Sequence, residues 1–149
     1  MLTLKALRTL SLAATTATLL AAVLGRAVRA YGASLSVPDW PLFGGRAFPK
    51  ELNRNVALET SHRLTVMTVG ILVLAMVIVS FREGGRIRFV SLGLLGVLLV
   101  TAAVGGMTVL YKLPKYMAVV DEGLALAVLT ALTAVTTYLY ATEDKQPSA

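Results

Sequence analysis

The chain has 149 residues and a formal net charge of +6, with 56% hydrophobic residues, 15% charged residues and a mean hydropathy of +0.75. Soluble domains carry about 25% charged residues, so this composition argues against a water-soluble globular protein, and the high hydrophobicity excludes a disordered chain. The absence of cysteine excludes disulfides, cysteine-ligated zinc, iron–sulfur clusters and dithiol redox chemistry. The basic residues flank apolar runs, where they meet lipid headgroups or an anionic ligand, so nucleic acid is not an expected partner.

Four uncharged apolar runs determine the predicted architecture: Thr9–Gly25, Leu64–Phe81, Phe89–Tyr111 and Gly123–Thr142. Each is long enough for a spanning helix, which needs roughly 17–25 residues, and a helix satisfies its own backbone polar groups in lipid. We therefore predict an all-α integral membrane protein, an up-down bundle of four transmembrane helices in the cell membrane. The first run follows Lys5 and Arg8, as a signal peptide would, and this is the alternative for that run.

The connections between the runs differ in length and composition. The segment from Arg26 to Arg63 contains three prolines and a Gly-Gly pair, and we predict a long structured extracytoplasmic loop. The segment from Arg82 to Arg88 is a tight turn with three arginines, which the positive-inside rule places in the cytoplasm together with both termini. Residues 1–142 form the predicted transmembrane domain, and 143–149 form a polar tail. Ala102 and Gly106 are spaced for close helix packing and for contact between copies.

Ionisable residues gather at one end of the predicted bundle. The second helix begins with Glu59 and His62, which are three residues apart and share one helical face. The fourth helix, which runs in the same direction, begins near Asp121 and Glu122. Ionisable groups at membrane depth are costly and usually functional, so this end is the predicted site.

His62 is the only histidine, and a neutral imidazole is a common axial ligand of haem iron. The alternative is an interfacial residue hydrogen-bonded to the loop. Glu59 has three possible roles: it orients His62, it handles protons, or it stabilises the positive end of a helix dipole. With a single histidine, one protomer cannot supply two axial histidines to a haem. The other face of a haem would then be open, face Asp121 or Glu122, or meet another protomer.

Arg26 and Arg29 lie three residues apart at the end of the first run. A guanidinium pairs well with carboxylates, so both arginines are candidates for holding haem propionates. The alternative is that they are cations whose long side chains extend to the membrane interface.

Several motifs resemble the haem A synthase family. The loop residues that match its first outer loop are Val28, Arg29, Gly32, Leu35, Pro38, Asp39, Trp40, Pro41 and Gly45. Glu59, His62 and Arg63 fit the family's E-x-x-H-R motif, and Gly106, Thr108, Val109, Leu110, Leu113 and Pro114 are similar to its G-x-T-V-L…L-P segment. The resemblance extends over about residues 20–127, and the length is similar to a compact, half-size, four-helix variant known from archaea.

The sequence departs from the family pattern at three points. The family's usual loop cysteines fall on Val37 and Phe43. An axial histidine usually opens the fourth helix, where this chain has Asp121. The usual member has eight helices in two related halves, so oligomerisation could supply the second half.

The resemblance implies oxidation of the C8 methyl of haem O to the formyl of haem A for terminal oxidase biogenesis. In this interpretation His62 is an axial ligand of the iron of haem b or haem O, and Glu59 is the catalytic acid that transfers protons. Arg29, Arg63 and Arg26 are propionate candidates, and Asp39 and Trp40 shape the loop as a lid.

The expected partners are haem O, the lipid bilayer, further copies of the chain, and a haem O synthase or terminal oxidase. The alternative function is a non-catalytic haem-binding assembly factor or haem-protein subunit. A purely structural four-helix subunit would explain the hydrophobicity but not the two motifs together.

Overall fold

The computed structural model describes residues 2–112 and 115–142, which form four long helices. These are α1 (Leu2–Ala30), α2 (Arg54–Glu83), α3 (Gly85–Leu110) and α4 (Lys115–Ala141). All four are long and apolar enough to cross a membrane. The prediction of an all-α protein with four long apolar helices is therefore confirmed, and these helices indicate a multi-pass membrane protein. The predicted tail 143–149 and the Leu113–Pro114 pair lie outside the described residues.

The helices pack as a four-membered ring in chain order. Helix α1 contacts α2 and α4, and α3 contacts the same two helices. The diagonal pairs, α1 with α3 and α2 with α4, do not approach closely within the described ranges. One end of the ring, hereafter the loop end, contains the end of α1, residues 31–53, the start of α2, the end of α3 and the start of α4. The opposite end, the turn end, contains the start of α1, the α2–α3 turn and the end of α4.

The core lies between the helices toward the turn end and is made of aliphatic side chains. Its fully buried members include Leu7 and Ala14 of α1, which pack with Met76 of α2 and Leu132 of α4. Because α1 contributes to the core in this way, the packing favours the spanning-helix interpretation of the first run. Polar contacts reinforce it: Arg8 Nε donates to the carbonyl of Leu139 at 2.8 Å, near the end of α4.

The helices extend beyond the uncharged runs. Helix α2 begins at Arg54 because the side chain of Asn53 accepts a hydrogen bond from the Val56 N–H at 3.0 Å and caps the helix. At its other end only Gly84 separates α2 from α3, with a φ of +72° that glycine adopts without strain. The predicted tight turn is therefore correct, but most of its residues are helical.

Large parts of the outer helix faces are exposed apolar surface. Within the most apolar stretch of α3, 11% of the residues are buried inside the chain, and large side chains such as Phe89 and Leu99 point outward. In a membrane protein this surface contacts lipid or another protein.

Candidate functional site

The loop end brings together the residues that the sequence singles out. Helix α2 contributes Glu59 and His62, α1 contributes Arg26 and Arg29, and α4 contributes Asp121 and Glu122. The connecting segment 31–53 has no regular secondary structure and folds over this end, bringing Asp39 and Trp40 to it. The charged residues form two separate networks, one around Arg63 and one around Arg29.

His62 is held by the backbone of α1. Its Nδ1 lies 3.0 Å from the carbonyl oxygen of Ala21. Because a carbonyl oxygen only accepts, Nδ1 is the protonated nitrogen, and the lone pair of the neutral ring is on Nε2. The ring packs against Gly25, where a Cβ atom would be 2.9 Å from Cε1 of His62. The absence of a side chain at Gly25 therefore allows the imidazole to approach α1.

Glu59 and Arg63 anchor the loop to α2. Glu59 is 3% exposed; one carboxylate oxygen pairs with Arg63 at 2.5 Å, and the other accepts from the Val37 N–H at 3.0 Å. The Arg63 guanidinium also donates to the carbonyls of Val37, Asp39 and Leu42, at 2.7, 2.8 and 3.1 Å. A guanidinium presents several donors in a fixed plane, so one side chain can hold three loop carbonyls. Arg63, a propionate candidate from sequence, is thus engaged by protein acceptors.

Asp39 organises the tip of the loop. Its two carboxylate oxygens accept from the N–H groups of Gly44 and Gly45, at 2.8 and 3.1 Å. Both glycines have φ near +70°, a region that residues with a side chain rarely adopt. The hydrogen bond from the Gly44 N–H is the largest cause of the lowered pKa of Asp39. Desolvation opposes it, and the N–H groups of Gly45 and Asp39 and the charge of Arg63 lower the pKa further. The carboxylate form is therefore the one that holds the turn.

Trp40 extends from the loop to α3. A Cβ atom on Gly106 would be 2.6 Å from the indole ring, so the ring lies against the backbone of this glycine. The sequence-based suggestion that Gly106 contacts another copy is wrong, because Gly106 is buried and its free face is covered by Trp40 of the same chain. The indole closes the loop end on the α3 side.

The second network joins α1 to α4. Arg29 donates to Asp121 at 2.7 Å, to Glu122 at 3.0 Å and to the carbonyl of Ala118 at 2.8 Å. Arg26 lies 3.6 Å from Glu122 and its side chain is 71% exposed. Asp121 also faces α3, where a Cβ atom on Gly105 would be 3.1 Å from its Oδ1. Asp121 therefore bridges the diagonally opposed helices α1 and α3.

The donor set at His62 fits a haem. Histidines that bind metals usually donate their second ring N–H to a carbonyl or carboxylate, which fixes the ring and the tautomer. His62 has this arrangement, and within the described residues its Nε2 makes no hydrogen bond. No group of three His, Asp or Glu side chains able to hold a metal ion is found in the same residues.

Sequence reasoning missed two of the residues that build this end. Gly25 lies just before the loop residues that match the family, and Gly106 begins the later segment, yet the sequence does not predict that either receives an aromatic ring. No spacing in the sequence indicates these contacts, because Gly25 is 37 residues from His62 and Gly106 is 66 residues from Trp40. Val37 and Phe43, where the family's cysteines fall, are both buried at 5–6% exposure and lie next to Arg63.

Comparison with known proteins gives a family match over most of the chain. Residues 3–133 match the family described as cytochrome oxidase assembly protein (COX15-CtaA). The chain belongs to this family. Similar curated relatives are named "Heme A synthase": one from Staphylococcus saprophyticus is 31% identical over 72% of this chain and 36% of its own length. Another, from Bacillus licheniformis, is 28% identical over 97% of this chain and 49% of its own length.

The chain thus spans about a third to a half of the length of the curated relatives it matches. No solved structure matches it. The COX15-CtaA match includes the first three helices, the loop and the start of α4, and so contains every charged residue of both networks.

Proposed function

We propose that this chain is a haem A synthase that oxidises the C8 methyl of haem O to a formyl group by successive hydroxylations. The observation that carries the proposal is the environment of His62, whose Nδ1 is held by the Ala21 carbonyl while Nε2 keeps its lone pair. In this proposal Nε2 of His62 would bind the haem iron, and the haem would supply the redox chemistry.

Glu59 handles protons in this proposal. Oxidising a methyl group to a formyl group with the oxygen of water passes four electrons to an external electron acceptor and releases four protons, and a carboxylate within reach of the reacting group can accept these protons. Glu59 lies on the same helix as His62 and is buried, and Arg63 fixes its orientation. Arg63 and the Val37 N–H thus act as positioning groups, because they hold the carboxylate through defined hydrogen bonds.

Arg26 and Arg29 are the propionate candidates at the end of α1, with Arg63 as a third. Arg26 fits the role best because its side chain is 71% exposed and its ion pair with Glu122, the one it makes in the described part of the chain, is long at 3.6 Å. Asp39 shapes the turn and Trp40 reaches α3, so the loop acts as a lid that limits water at the site.

Co-expression with a haem O synthase, followed by mass analysis of the extracted haem, tests this function. The expected result is haem A from the wild type and from Ser61→Ala, a control on the exposed position next to His62. His62→Ala should lose most of the bound haem. Glu59→Gln should keep haem but stop formyl formation. Glu51→Gln in the exposed loop should keep haem and still form haem A. Cells that express the wild-type chain and contain haem O but no haem A would contradict the activity.

A non-catalytic haem-binding assembly factor is the second candidate. The aspartate at position 121, where the family usually has a histidine, favours it, because one ligand suffices to carry haem. Haem retention without conversion of haem O would support this candidate. Absence of haem in the purified protein would contradict both, and would leave a structural subunit.

The active unit is proposed to be a homo-oligomer in which residues 1–142 form the haem-binding domain. A second copy would supply a second histidine, through a symmetric interface on the exposed apolar faces. Both termini and the three-arginine turn would be cytoplasmic and the long loop extracytoplasmic. A haem O synthase or a terminal oxidase is the proposed partner protein. Mass measurement in mild detergent tests the oligomer, and an active monomer would refute it.

A further inference from the structure

We infer that Asp121 is a positioning residue held by Arg29, so that a haem bound through His62 keeps its second axial position open to a small external ligand. The inference rests on haem binding in the proposed function. It concerns the position at which the haem A synthase pattern usually has a second histidine.

The first argument is the engagement of the carboxylate. Asp121 Oδ2 accepts from Arg29 Nη2 at 2.7 Å, and both side chains are about one-quarter exposed. The same guanidinium holds Glu122 and the Ala118 carbonyl. If Asp121 moved to an iron, it would leave a partly buried guanidinium with one acceptor fewer, which is unfavourable at membrane depth.

The second argument is the level of the two residues along α1. Ala21 holds His62, and Arg29 holds Asp121; these residues are eight apart, about 12 Å along a helix axis. Arg29 also reaches Ala118, which is nearer than Asp121 to the start of α4 and so nearer the loop end. The imidazole itself reaches Gly25, so the arginine that holds Asp121 lies about one helical turn beyond the ring toward the loop end.

The third argument is the other carboxylate oxygen. Oδ1 faces Gly105 of α3, in the space that a side chain at this position would fill. Asp121 thus ties α4 to α1 with one oxygen and packs against α3 with the other. A carboxylate is also absent from the axial ligands that proteins commonly give haem, which are His, Met, Cys and Tyr.

The test uses the full chain in detergent, loaded with ferric haem b, and imidazole as the probe ligand. Optical and electron paramagnetic resonance spectra should show high-spin iron, and imidazole should bind saturably and convert the iron to low spin. Asp121→Asn should leave the imidazole affinity within about twofold of the wild type, because no competing ligand is removed. Glu122→Gln is the matched control, since it also removes one negative charge that pairs with Arg29 but lies one residue away.

Three outcomes would overturn the inference. An imidazole affinity about tenfold higher in Asp121→Asn than in Glu122→Gln would identify Asp121 as the competing ligand. Low-spin iron in the untreated wild type would show that another group already fills the position. Failure of imidazole to bind to a haem-loaded protein would show that the position is closed. A chain that takes up no haem contradicts the proposed function as well, which separates the two failures.

Discussion

Trp40 and Gly106 are in direct contact, so that the loop between α1 and α2 reaches α3, a helix that it does not connect. The contact depends on the missing side chain at Gly106, since a Cβ atom there would be 2.6 Å from the indole. This one contact closes the loop end on the side that neither α1 nor Arg63 reaches.

Gly106→Ala should displace the indole. Trp40 is the only tryptophan in the chain, so its fluorescence reports the contact directly. We expect the emission maximum to shift to the red and quenching by aqueous iodide to increase. Gly96→Ala is the matched control, because nothing lies within 4 Å of a Cβ atom at that position of the same helix. Identical emission in the two variants would show that Trp40 does not depend on Gly106.

Gly25→Ala should weaken haem binding without weakening the helix. Alanine favours a helix over glycine by about 0.8–1.0 kcal/mol, so any loss has to come from the new methyl group. That methyl would be 2.9 Å from Cε1 of His62 and would push the ring away from the Ala21 carbonyl. The measurement is the Soret absorbance per protein after purification. Gly70→Ala on α2, where a Cβ atom meets open space, should retain its haem.

Arg63→Gln should destabilise the loop and leave Glu59 buried without its cation. Removing one partner of a buried ion pair costs about 3–5 kcal/mol, and this side-chain pair is 10% and 4% exposed. Amide hydrogen exchange at Val37 should accelerate, because Glu59 accepts its N–H. The double variant Glu59→Gln/Arg63→Gln should be less unstable than the sum of the two single variants, with a coupling of about 0.5–3 kcal/mol. Simple additivity of the unfolding free energies would argue against this pair as the anchor.

Asp39 should make the stability of the loop depend on pH in the acidic range. Its pKa is lowered in the folded loop, so the carboxylate stabilises the turn above the ordinary value of 3.8, and this contribution is lost as the pH falls below it. In glycine-labelled protein, the Gly44 and Gly45 amide resonances should titrate with a midpoint below 3.8. Asp39→Ala should abolish this titration, whereas Glu51→Ala should leave it intact. A midpoint above the ordinary value would contradict the hydrogen bonds from these two glycines.

The helices and their order could be predicted from the sequence because apolar length alone decides a spanning helix. The end of the bundle that holds the ionisable residues followed from the same pattern. The side-chain partners could not be predicted in this way. Arg63 binds the carbonyls of Val37, Asp39 and Leu42, and because every residue has a backbone carbonyl, the sequence does not show which ones are bound. The contacts of Gly25 and Gly106 were equally hidden, because each depends on the distance between two helices or between a helix and a loop.

The buried Val37 and Phe43 have a practical consequence for anyone who produces this protein. They lie at the positions of the cysteines in the resembled family, and here the loop is held by a guanidinium, a carboxylate and apolar packing. Such a loop needs no oxidant to form and contains no disulfide that a reducing agent could break. Expression hosts should therefore yield the same loop whether the compartment outside their cell membrane is reducing or oxidising, and dithiothreitol in the buffer should leave the loop unchanged.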